Sequence, residues 1–191
     1  MSQAAHSDIP VTPSDVACID LVNSCFTDYL GSGDSTERIG SHQWQEWFLH
    51  RYGLKPDTRE AAPVDELVAL RRDLRRILDK WSTHARLSAR DVSLLDSRVQ
   101  ATAVRHRVVG TGDGLELAQE PLRRDWTWVI AEVAASAVEL MSTRDPQRLK
   151  SCGNPACSWL FYDTSVNHSR RYCTATPCGS LMRVRRFRKA R

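Results

Sequence analysis

Apolar residues recur at helical spacing through most of the first 144 residues of this chain. The clearest stripe runs through residues 64–87, where charged side chains fill the opposite face. Its members are Leu67, Leu70, Leu74, Ile77, Leu78 and Trp81. Other segments, within residues 12–30, 42–52, 88–100 and 125–144, have similar spacing. The pattern predicts a body built mainly from helices.

Short polar residues precede several of these segments, as helix starts require. Ser88 stands three residues before Asp91, Thr12 precedes Pro13, and Asp125 opens the segment that follows it. That last segment, WTWVIAEVAASAVELM, is apolar on nearly all sides. We therefore expect it to be the central core helix.

The helical period breaks between residues 101 and 122. Two short alternating runs flank the sequence GTGDG at residues 110–114, which predicts a β-hairpin. A glycine-rich turn can also bind phosphate, but no Gly-Lys-Ser/Thr follows here and no helix begins. The expected fold class is therefore α+β, mainly α with a small β-hairpin.

The composition favours a cytoplasmic protein. The chain has 191 residues, of which 41% are hydrophobic, so it can build a core without disulfides. Its first residues lack the basic and apolar regions of an export signal. No segment is apolar enough to span a bilayer.

The charge is distributed unevenly along the chain. The net charge is +4, yet residues 150–191 contain nine Lys or Arg and a single acid, Asp163. The body before them is mildly acidic. This uneven charge distribution indicates a body with one role and a C-terminal tail that binds a polyanion.

Four cysteines open this basic region with the spacing C-x4-C-x15-C-x4-C. They are Cys152, Cys157, Cys173 and Cys178. Two equal pairs, the first enclosing the turn sequence GNPA, predict a structural zinc site with four thiolate ligands. Such a site has no open position for water, so it would not be catalytic. His168 is the competing ligand. Cys18 and Cys25 lie on an apolar face and are expected in the core.

The segments around the cysteines predict a finger of about forty residues that depends on zinc for folding. SWLFYD is expected to form a strand and SRRYC its return. Trp159, Phe161 and Tyr172 are expected to form a small core rather than to stack on bases. Residues 180–191 predict a helix on which Leu181, Val184 and Phe187 pack back on the finger.

The arginine-rich helix is the candidate nucleic-acid contact, because the planar guanidinium suits phosphate and guanine. The candidate contacts are Arg183, Arg185, Arg186, Arg188 and Lys189. Arg170 and Arg171 either contact phosphate or screen the thiolate charge. Two other interpretations stay open: an RNA-binding zinc module, and a protein-interaction adaptor with a structural zinc site.

The segment RLKSCGNPACSWLFYDTSVNHSRRYCTATPCGSLMRVRRFR resembles the CGNR-type zinc finger. The body, through CIDLVNS and LVALRRDLRRIL, is similar to the ABATE domain of a bacterial family described as stress-induced transcription regulators. The resemblance implies a regulatory, ligand-sensing N-terminal domain and a C-terminal DNA-binding finger. We expect the finger itself to be treble-clef-like or ribbon-like. The chain departs from the family after Gly179, where Ser180 and Leu181 replace the expected Asn-Arg.

We expect two domains, at residues 1–147 and 148–191, and no enzyme activity, because no nucleophile–base pair is evident. Weak candidates for ligand contact in the body are Asp20, Asn23, Trp44 and Trp47, although a structural role is the commoner one for such residues. A single finger buries little surface, so specific DNA binding would favour a homodimer.

Overall fold

A computed structural model describes residues 14–190 of the chain. This part of the chain contains six α-helices: α1 Ala17–Val22, α2 His42–Arg51, α3 Val64–Ser82, α4 Ala89–Val99, α5 Trp126–Thr143 and α6 Ser180–Lys189. Six strands form three antiparallel pairs: β1 Cys25–Thr27, β2 Ser35–Glu37, β3 Val104–Thr111, β4 Gly114–Pro121, β5 Leu149–Ser151 and β6 Leu160–Tyr162. The α+β class predicted from the sequence is confirmed.

Helices α1, α3 and α5 pack together around the main core. The apolar stripe of α3 faces inward as predicted, with five of its six members buried and Trp81 half-buried. The stretch of α5 from Trp128 to Ala137 is buried on most sides, which confirms it as a core helix. None of the helices in residues 14–190 is long and apolar enough to cross a membrane.

The predicted caps of α4 and α5 are present. Ser88 and Asp91 form a reciprocal capping box, and the Asp125 carboxylate accepts from the backbone N–H of Trp128 at 3.1 Å. The buried Asp91 carboxylate also pairs with Arg76 and, at 2.8 Å, with Lys80. Hydrogen bonds from Lys80 and Arg76 hold the pKa of Asp91 well below its usual range. One side chain therefore caps α4 and ties it to α3.

The first helix is shorter than predicted. The sequence suggested a helix through Tyr29, but α1 ends at Val22 and the chain turns into β1, which pairs with β2. The helix ends here because the Asn23 side-chain amide forms hydrogen bonds with the backbone of β6, which takes the chain out of the helical path. The predicted cap at Thr12 lies outside the described residues.

The finger has a different strand partner from the predicted one. The segment SRRYC does not return as a strand; instead β6 pairs with β5, which precedes the first cysteine. Leu149 of β5 and Leu160 of β6 belong to the main core of the body. The body and the finger are thus packed against each other as one continuous structure.

The hairpin between α4 and α5 is confirmed. β3 and β4 pair in register from Val104 opposite Pro121 to Thr111 opposite Gly114, and the turn lies at Gly112 and Asp113. Every residue of β3 is exposed, as are most of β4. The hairpin therefore projects away from the core.

Candidate metal centre and cationic helix

The four cysteine sulfurs converge on one point. The Sγ atoms of Cys152, Cys157, Cys173 and Cys178 all lie within 4.8 Å of one another. The Sγ atoms of Cys157 and Cys173 are 3.8 Å apart. Tetrahedral zinc with Zn–S bonds of about 2.3 Å separates its sulfurs by about 3.8 Å, so the arrangement fits zinc.

Tight turns bring each cysteine into place. Cys157 closes the first turn by donating from its backbone N–H to the carbonyl of Asn154 at 2.9 Å. Gly153 is required there, because a Cβ at this position would lie 2.8 Å from the carbonyl oxygen of Arg171. Thr174 organises the second turn, since its hydroxyl accepts from the backbone N–H of Cys178 at 3.4 Å.

Two N–H groups point at the sulfurs. The backbone N–H of Cys173 donates to Sγ of Cys152 at 3.5 Å, and the Asn154 amide donates to Sγ of Cys178 at 3.7 Å. These donors compensate thiolate charge, as the outer contacts of a metal site do. The site is a structural zinc centre: four thiolates complete its coordination and, when bound, zinc would cross-link the two turns.

Comparison with protein families matches both parts of the chain. Residues 15–144 match the ABATE family, whose description is "Putative stress-induced transcription regulator", and residues 148–191 match the CGNR zinc finger. The chain belongs to the ABATE family. The resemblance inferred from the sequence is therefore confirmed, and so is the single structural zinc site that the CGNR finger implies. A search of curated proteins finds no match.

The ABATE body covers one side of the CGNR finger. Phe26 and Tyr29 of the body pack on the small core formed by Trp159, Phe161 and the cysteines. The Asn154 amide donates to the carbonyl of Tyr29 at 2.9 Å. The apolar cover of the zinc centre thus comes from both parts of the chain. The small core was predicted, but its body-derived half was not.

Asn23 joins the ABATE body to strand β6 through both atoms of its amide. Its Nδ2 donates to the carbonyl of Leu160 at 2.8 Å, and its Oδ1 accepts from the N–H of Leu160 at 2.8 Å. This amide pairing is buried on both sides. The side chain singled out as a weak ligand candidate is therefore already engaged in a contact between the two matched regions.

The Asp20 carboxylate is also hydrogen-bonded within the ABATE body. Its carboxylate accepts from the Tyr52 hydroxyl at 2.5 Å and from the backbone N–H of Ser14 at 2.9 Å. Burial raises the pKa of Asp20 to about 6, although these hydrogen bonds act in the opposite direction. The other two weak ligand candidates are Trp44, which is buried and stacked on Phe48, and Trp47, which is half-buried beside it.

Arg170 lies inside the finger. Its guanidinium donates to the carbonyls of Tyr172, at 3.0 Å, and Cys173, and its Cζ stands 4.7 Å above the Phe161 ring. Arg171 is exposed. Arg170 therefore stabilises the backbone that leads into Cys173, whereas Arg171 faces solvent.

The single acid of the basic region organises the long loop before Arg170. Asp163 is fully buried and pairs with Lys150, whose Nζ lies 2.6 Å from Oδ2. The carboxylate also accepts from the backbone N–H of Ser165 at 2.9 Å and of Arg170 at 3.0 Å. Burial alone would raise the pKa of Asp163, but the Lys150 hydrogen bond keeps it below its usual range.

The cationic helix α6 presents most of its charge to solvent. The exposed cations that have no partner among residues 14–190 are Arg183, Arg186, Arg188 and Lys189. Arg185 differs, because it donates to the carbonyl of Leu30 at 2.6 Å. Val184 and Phe187, which were predicted to pack on the finger, are 47% and 60% exposed, so about half of each side chain faces solvent. Leu181 is half-buried.

The body segment that meets α6 is the turn between β1 and β2. Asp28 shapes this turn by accepting from the backbone N–H groups of Leu30, at 3.0 Å, and Ser32, at 3.1 Å. Gly31 adopts a φ of +99°, which other residues rarely tolerate. Its neighbours include the Ala156 side chain and the Arg185 guanidinium. The turn therefore contacts the first cysteine loop and the cationic helix together.

Ser180 and Leu181 occupy the positions where the family resemblance led us to expect Asn-Arg. The Ser180 hydroxyl lies 3.2 Å from the carbonyl of Ala175 and donates to it. This bond links the first residue of α6 to the turn that holds Cys178. Ser180 therefore supports the helix start through its side chain, while Leu181 adds no positive charge.

A cavity of about 180 Å³ lies between the ABATE body and the finger. Ile19 and Asn23 line it from the body, and Trp159, Phe161 and Arg170 line it from the finger. Trp159 is 8% exposed, and its indole N–H has no hydrogen-bond partner within residues 14–190.

Proposed function

We propose that this protein is a DNA-binding transcription regulator whose zinc-stabilised finger contacts duplex DNA through α6. The observation that carries the proposal is the set of exposed cations on a helix rooted at the zinc centre: Arg183, Arg186, Arg188 and Lys189. The family description as a transcription regulator supports a regulatory role, and four thiolate ligands leave no coordination site for catalysis.

The helix suits a polyanion by charge and by shape. α6 contains no acidic residue, so its arginines have no partner on their own helix. Arg183 and Arg186 are three residues apart and share a face. A helix of this width fits the major groove, where an arginine can reach phosphate or the edge of guanine. Arg171 is the exposed cation nearest along the chain before α6 and would add a contact outside the helix.

Arg170 and Arg185 take other roles in this proposal. Arg170 is held by the finger backbone and Arg185 by Leu30. Both would position the contact surface, while the exposed cations would meet the DNA.

Salt-dependent binding tests the proposal. The zinc-loaded full chain is titrated with matched fluorescent duplex DNA, double-stranded RNA and single-stranded DNA at several salt concentrations. Tighter binding to duplex DNA is expected. Arg183→Ala combined with Arg186→Ala should reduce the slope of log K against log salt by about two.

The matched control is Arg105→Ala combined with Arg107→Ala, which removes the same charge from the hairpin. Both hairpin arginines pair with Glu120, and they lie outside the finger. Their loss should leave the slope unchanged. Equal slopes for the two double variants would contradict a specific role for α6. Preference for single strands, or no binding at low salt, would contradict the DNA assignment and favour the RNA-binding or adaptor alternatives.

The ABATE body would act as the regulatory domain, within residues 1–147, and the finger as residues 148–191. The coupling would pass through three contacts of the body with the finger: Asn23 with Leu160, Tyr29 with Asn154, and Leu30 with Arg185. A protein with this role would act in the cytoplasm, where bacterial DNA is found.

The cavity beside Trp159 is where a small sensed ligand would influence both parts. Trp159 and Arg170 line this cavity from the finger and Asn23 lines it from the body, so a bound ligand would contact both parts. Fragments can be screened by ligand-observed NMR against the wild type and Trp159→Phe. Fragments that lose binding in the variant support this site. Binding that is unaffected would place the ligand elsewhere.

A further inference from the structure

A small cavity lies directly beside the cysteine cluster, where the β1–β2 hairpin of the body meets the finger. Its volume is about 50 Å³. The finger lines it with three of its four cysteines, Cys157, Cys173 and Cys178. The body lines it with Phe26 and Tyr29. We call this space the thiolate cavity. One side of the zinc centre therefore borders a small open space rather than closely packed side chains.

The size of the thiolate cavity restricts what can enter it. A cavity of about 150 Å³ holds benzene, which has six non-hydrogen atoms, so 50 Å³ has room for about two. The rim reaches the surface, because the lining residues Phe26, Thr27, Tyr29 and Pro177 are only half-buried. Hydrogen peroxide has two non-hydrogen atoms and fits, whereas a disulfide or a branched alkyl hydroperoxide is too large.

The wall of the thiolate cavity also contains a buried cation. Arg38 lines the cavity and is 4% exposed. Its Cζ lies 5.0 Å from the centroid of the Phe26 ring and 5.8 Å from that of Trp159, which are two further lining residues. A cation held at this wall would stabilise the negative charge that develops on the departing oxygen of a peroxide.

We propose that the thiolate cavity is a reaction site for hydrogen peroxide, at which Cys157 and Cys173 are oxidised to a disulfide and zinc is released. The inference does not rest on the proposed DNA binding, because the disulfide and the released zinc can both be measured without DNA. It gives the zinc ligands a second role as a site of modification.

Burial selects Cys157 as the residue that attacks the peroxide. It is half-buried, whereas the other three cysteines of the cluster are buried. A cysteine that ligates a metal is a thiolate, which is the nucleophilic form of the side chain. The first bond should therefore form at the sulfur of Cys157.

Hydrogen bonding selects Cys173 as the second residue of the pair. Its Sγ lies 3.8 Å from that of Cys157, and no N–H group within residues 14–190 donates to it. Cys178 lines the same cavity, but its Sγ accepts from the Asn154 amide at 3.7 Å. Such a bond stabilises the charge on sulfur and lowers its nucleophilicity. Cys173 is therefore the better nucleophile for the second step.

The reaction balances with one peroxide for two thiolates. The Cys157 thiolate attacks one peroxide oxygen, the O–O bond breaks, and Cys157 becomes a sulfenic acid. The Cys173 thiolate then attacks the Cys157 sulfur, the S–O bond breaks and the S–S bond forms. Each step releases a hydroxide, which takes a proton from the solvent to become water. The peroxide gains two electrons, and the two thiolates lose them.

The loss of two ligands should release the metal. Cys152 and Cys178 alone cannot complete a tetrahedral site with four thiolates. The disulfide still links the first cysteine turn to Cys173, but Cys178, which lies just before α6, loses its bond to the metal. Oxidation would therefore loosen the start of α6.

The first experiment treats the zinc-loaded full chain with hydrogen peroxide while a chromogenic chelator reports free zinc. About one zinc per chain should be released. After rapid alkylation of free thiols, peptide mapping by mass spectrometry should find one disulfide, between Cys157 and Cys173. Release of zinc without this disulfide, or formation of a different one, would overturn the proposal.

Cys25 is the internal control in that experiment. It is half-buried, as Cys157 is, but it does not line the thiolate cavity. Cys25 should therefore still be reduced when zinc release is complete. Retention of zinc after Cys25 has been oxidised would show that the cavity gives the cluster no special reactivity.

The size of the oxidant tests the route through the cavity. The rates of zinc release by hydrogen peroxide and by tert-butyl hydroperoxide are compared, and their ratio is divided by the same ratio for free cysteine. The result should be about ten or more, because one methylene that does not fit a pocket changes a rate by about 10- to 200-fold. A result near one would contradict access through the thiolate cavity.

Tyr29→Ala widens the rim and should reduce this size selectivity by about tenfold. The hydrogen bond from Asn154 is retained, because it reaches the main-chain carbonyl of Tyr29. Tyr172→Ala is the matched control, since Tyr172 packs on the same small core but does not line the cavity, and its selectivity should equal that of the wild type. Zinc content and circular dichroism before oxidation verify that both variants are folded. Equal selectivity in the two variants would overturn the thiolate cavity as the reaction site.

Discussion

Asn23 and Leu160 exchange two hydrogen bonds of 2.8 Å between a side-chain amide and a strand backbone. The pair joins the end of α1 to β6 and satisfies both the N–H and the carbonyl of Leu160 at the buried junction. It explains why α1 stops where it does, and it fixes the finger on the body.

Asn23→Ala should destabilise the protein by about 2–4 kcal/mol, because it leaves a buried N–H and a buried carbonyl of Leu160 unsatisfied. Urea unfolding monitored by circular dichroism measures the change. Asn167→Ala, in an exposed loop, is the control and should alter the unfolding free energy by less than about 0.5 kcal/mol. Similar effects of the two substitutions would contradict the structural role given to Asn23.

Cys173→Ser should release zinc and disorder the finger, since the four cysteines also form much of its small core. Elemental analysis should give about one zinc per wild-type chain and much less in the variant. Cys25→Ser is the matched control, because Cys25 lies in β1 outside the cluster. One zinc per chain retained in Cys173→Ser would show that the ligand set is different.

Arg185→Ala should change the dynamics of the β1–β2 turn while leaving the salt dependence of DNA binding nearly unchanged. The reason is that Arg185 donates to Leu30, whereas Arg183 is free to meet phosphate. Hydrogen exchange at residues 28–34 should accelerate in Arg185→Ala. Arg183→Ala is the comparison and should lower the salt slope by about one without affecting that exchange. If Arg183→Ala instead accelerated the exchange and Arg185→Ala lowered the salt slope, Arg183 would hold the turn and Arg185 would contact phosphate.

The stability of the protein should fall as the pH rises from about 5 to about 7. The folded state raises the pKa of Asp20 to about 6, above the value of about 3.9 in an unfolded chain. The protonated form is therefore favoured by folding, and its contribution is lost as the pH passes about 6. The expected loss over this interval is about 1.3 kcal/mol.

Asp20→Asn should flatten that pH dependence, as measured by urea unfolding at both pH values. Asp91 and Asp163 do not obscure the effect, because their folded pKa values are lowered and their contributions level off by about pH 5, one unit above the unfolded pKa of about 3.9. An unchanged slope in Asp20→Asn would assign the dependence to another group.

Sequence reasoning succeeded where the signal is local. The caps at Ser88 and Asp125, the stripe on α3, the hairpin turn and each of the two C-x4-C pairs are patterns of residues that lie close together in the sequence. The zinc centre was therefore predictable as a ligand set before its geometry was known.

Prediction from the sequence failed where segments that are far apart in the sequence form hydrogen bonds with each other. Asn23 fits a helix by spacing, yet its amide finds Leu160, 137 residues away. The expected return strand near Arg170 is replaced by β5, because Lys150 and Asp163 hold the intervening loop in another shape. The exposed Phe187 shows the converse: an apolar residue at helical spacing need not face a core.

The attachment of α6 has a mechanical consequence. The helix is held at its start by the turn of Cys178 and at its middle by Arg185, and Lys189 lies about 16 Å beyond Cys178 at 1.5 Å per residue. A tilt of about 10° at the held end would move Lys189 by about 3 Å, the length of one hydrogen bond. The same tilt would move the middle of the helix at Arg185 by about 2 Å, so a shift of that size at the Leu30 carbonyl would be enough to make or break a phosphate contact at Lys189.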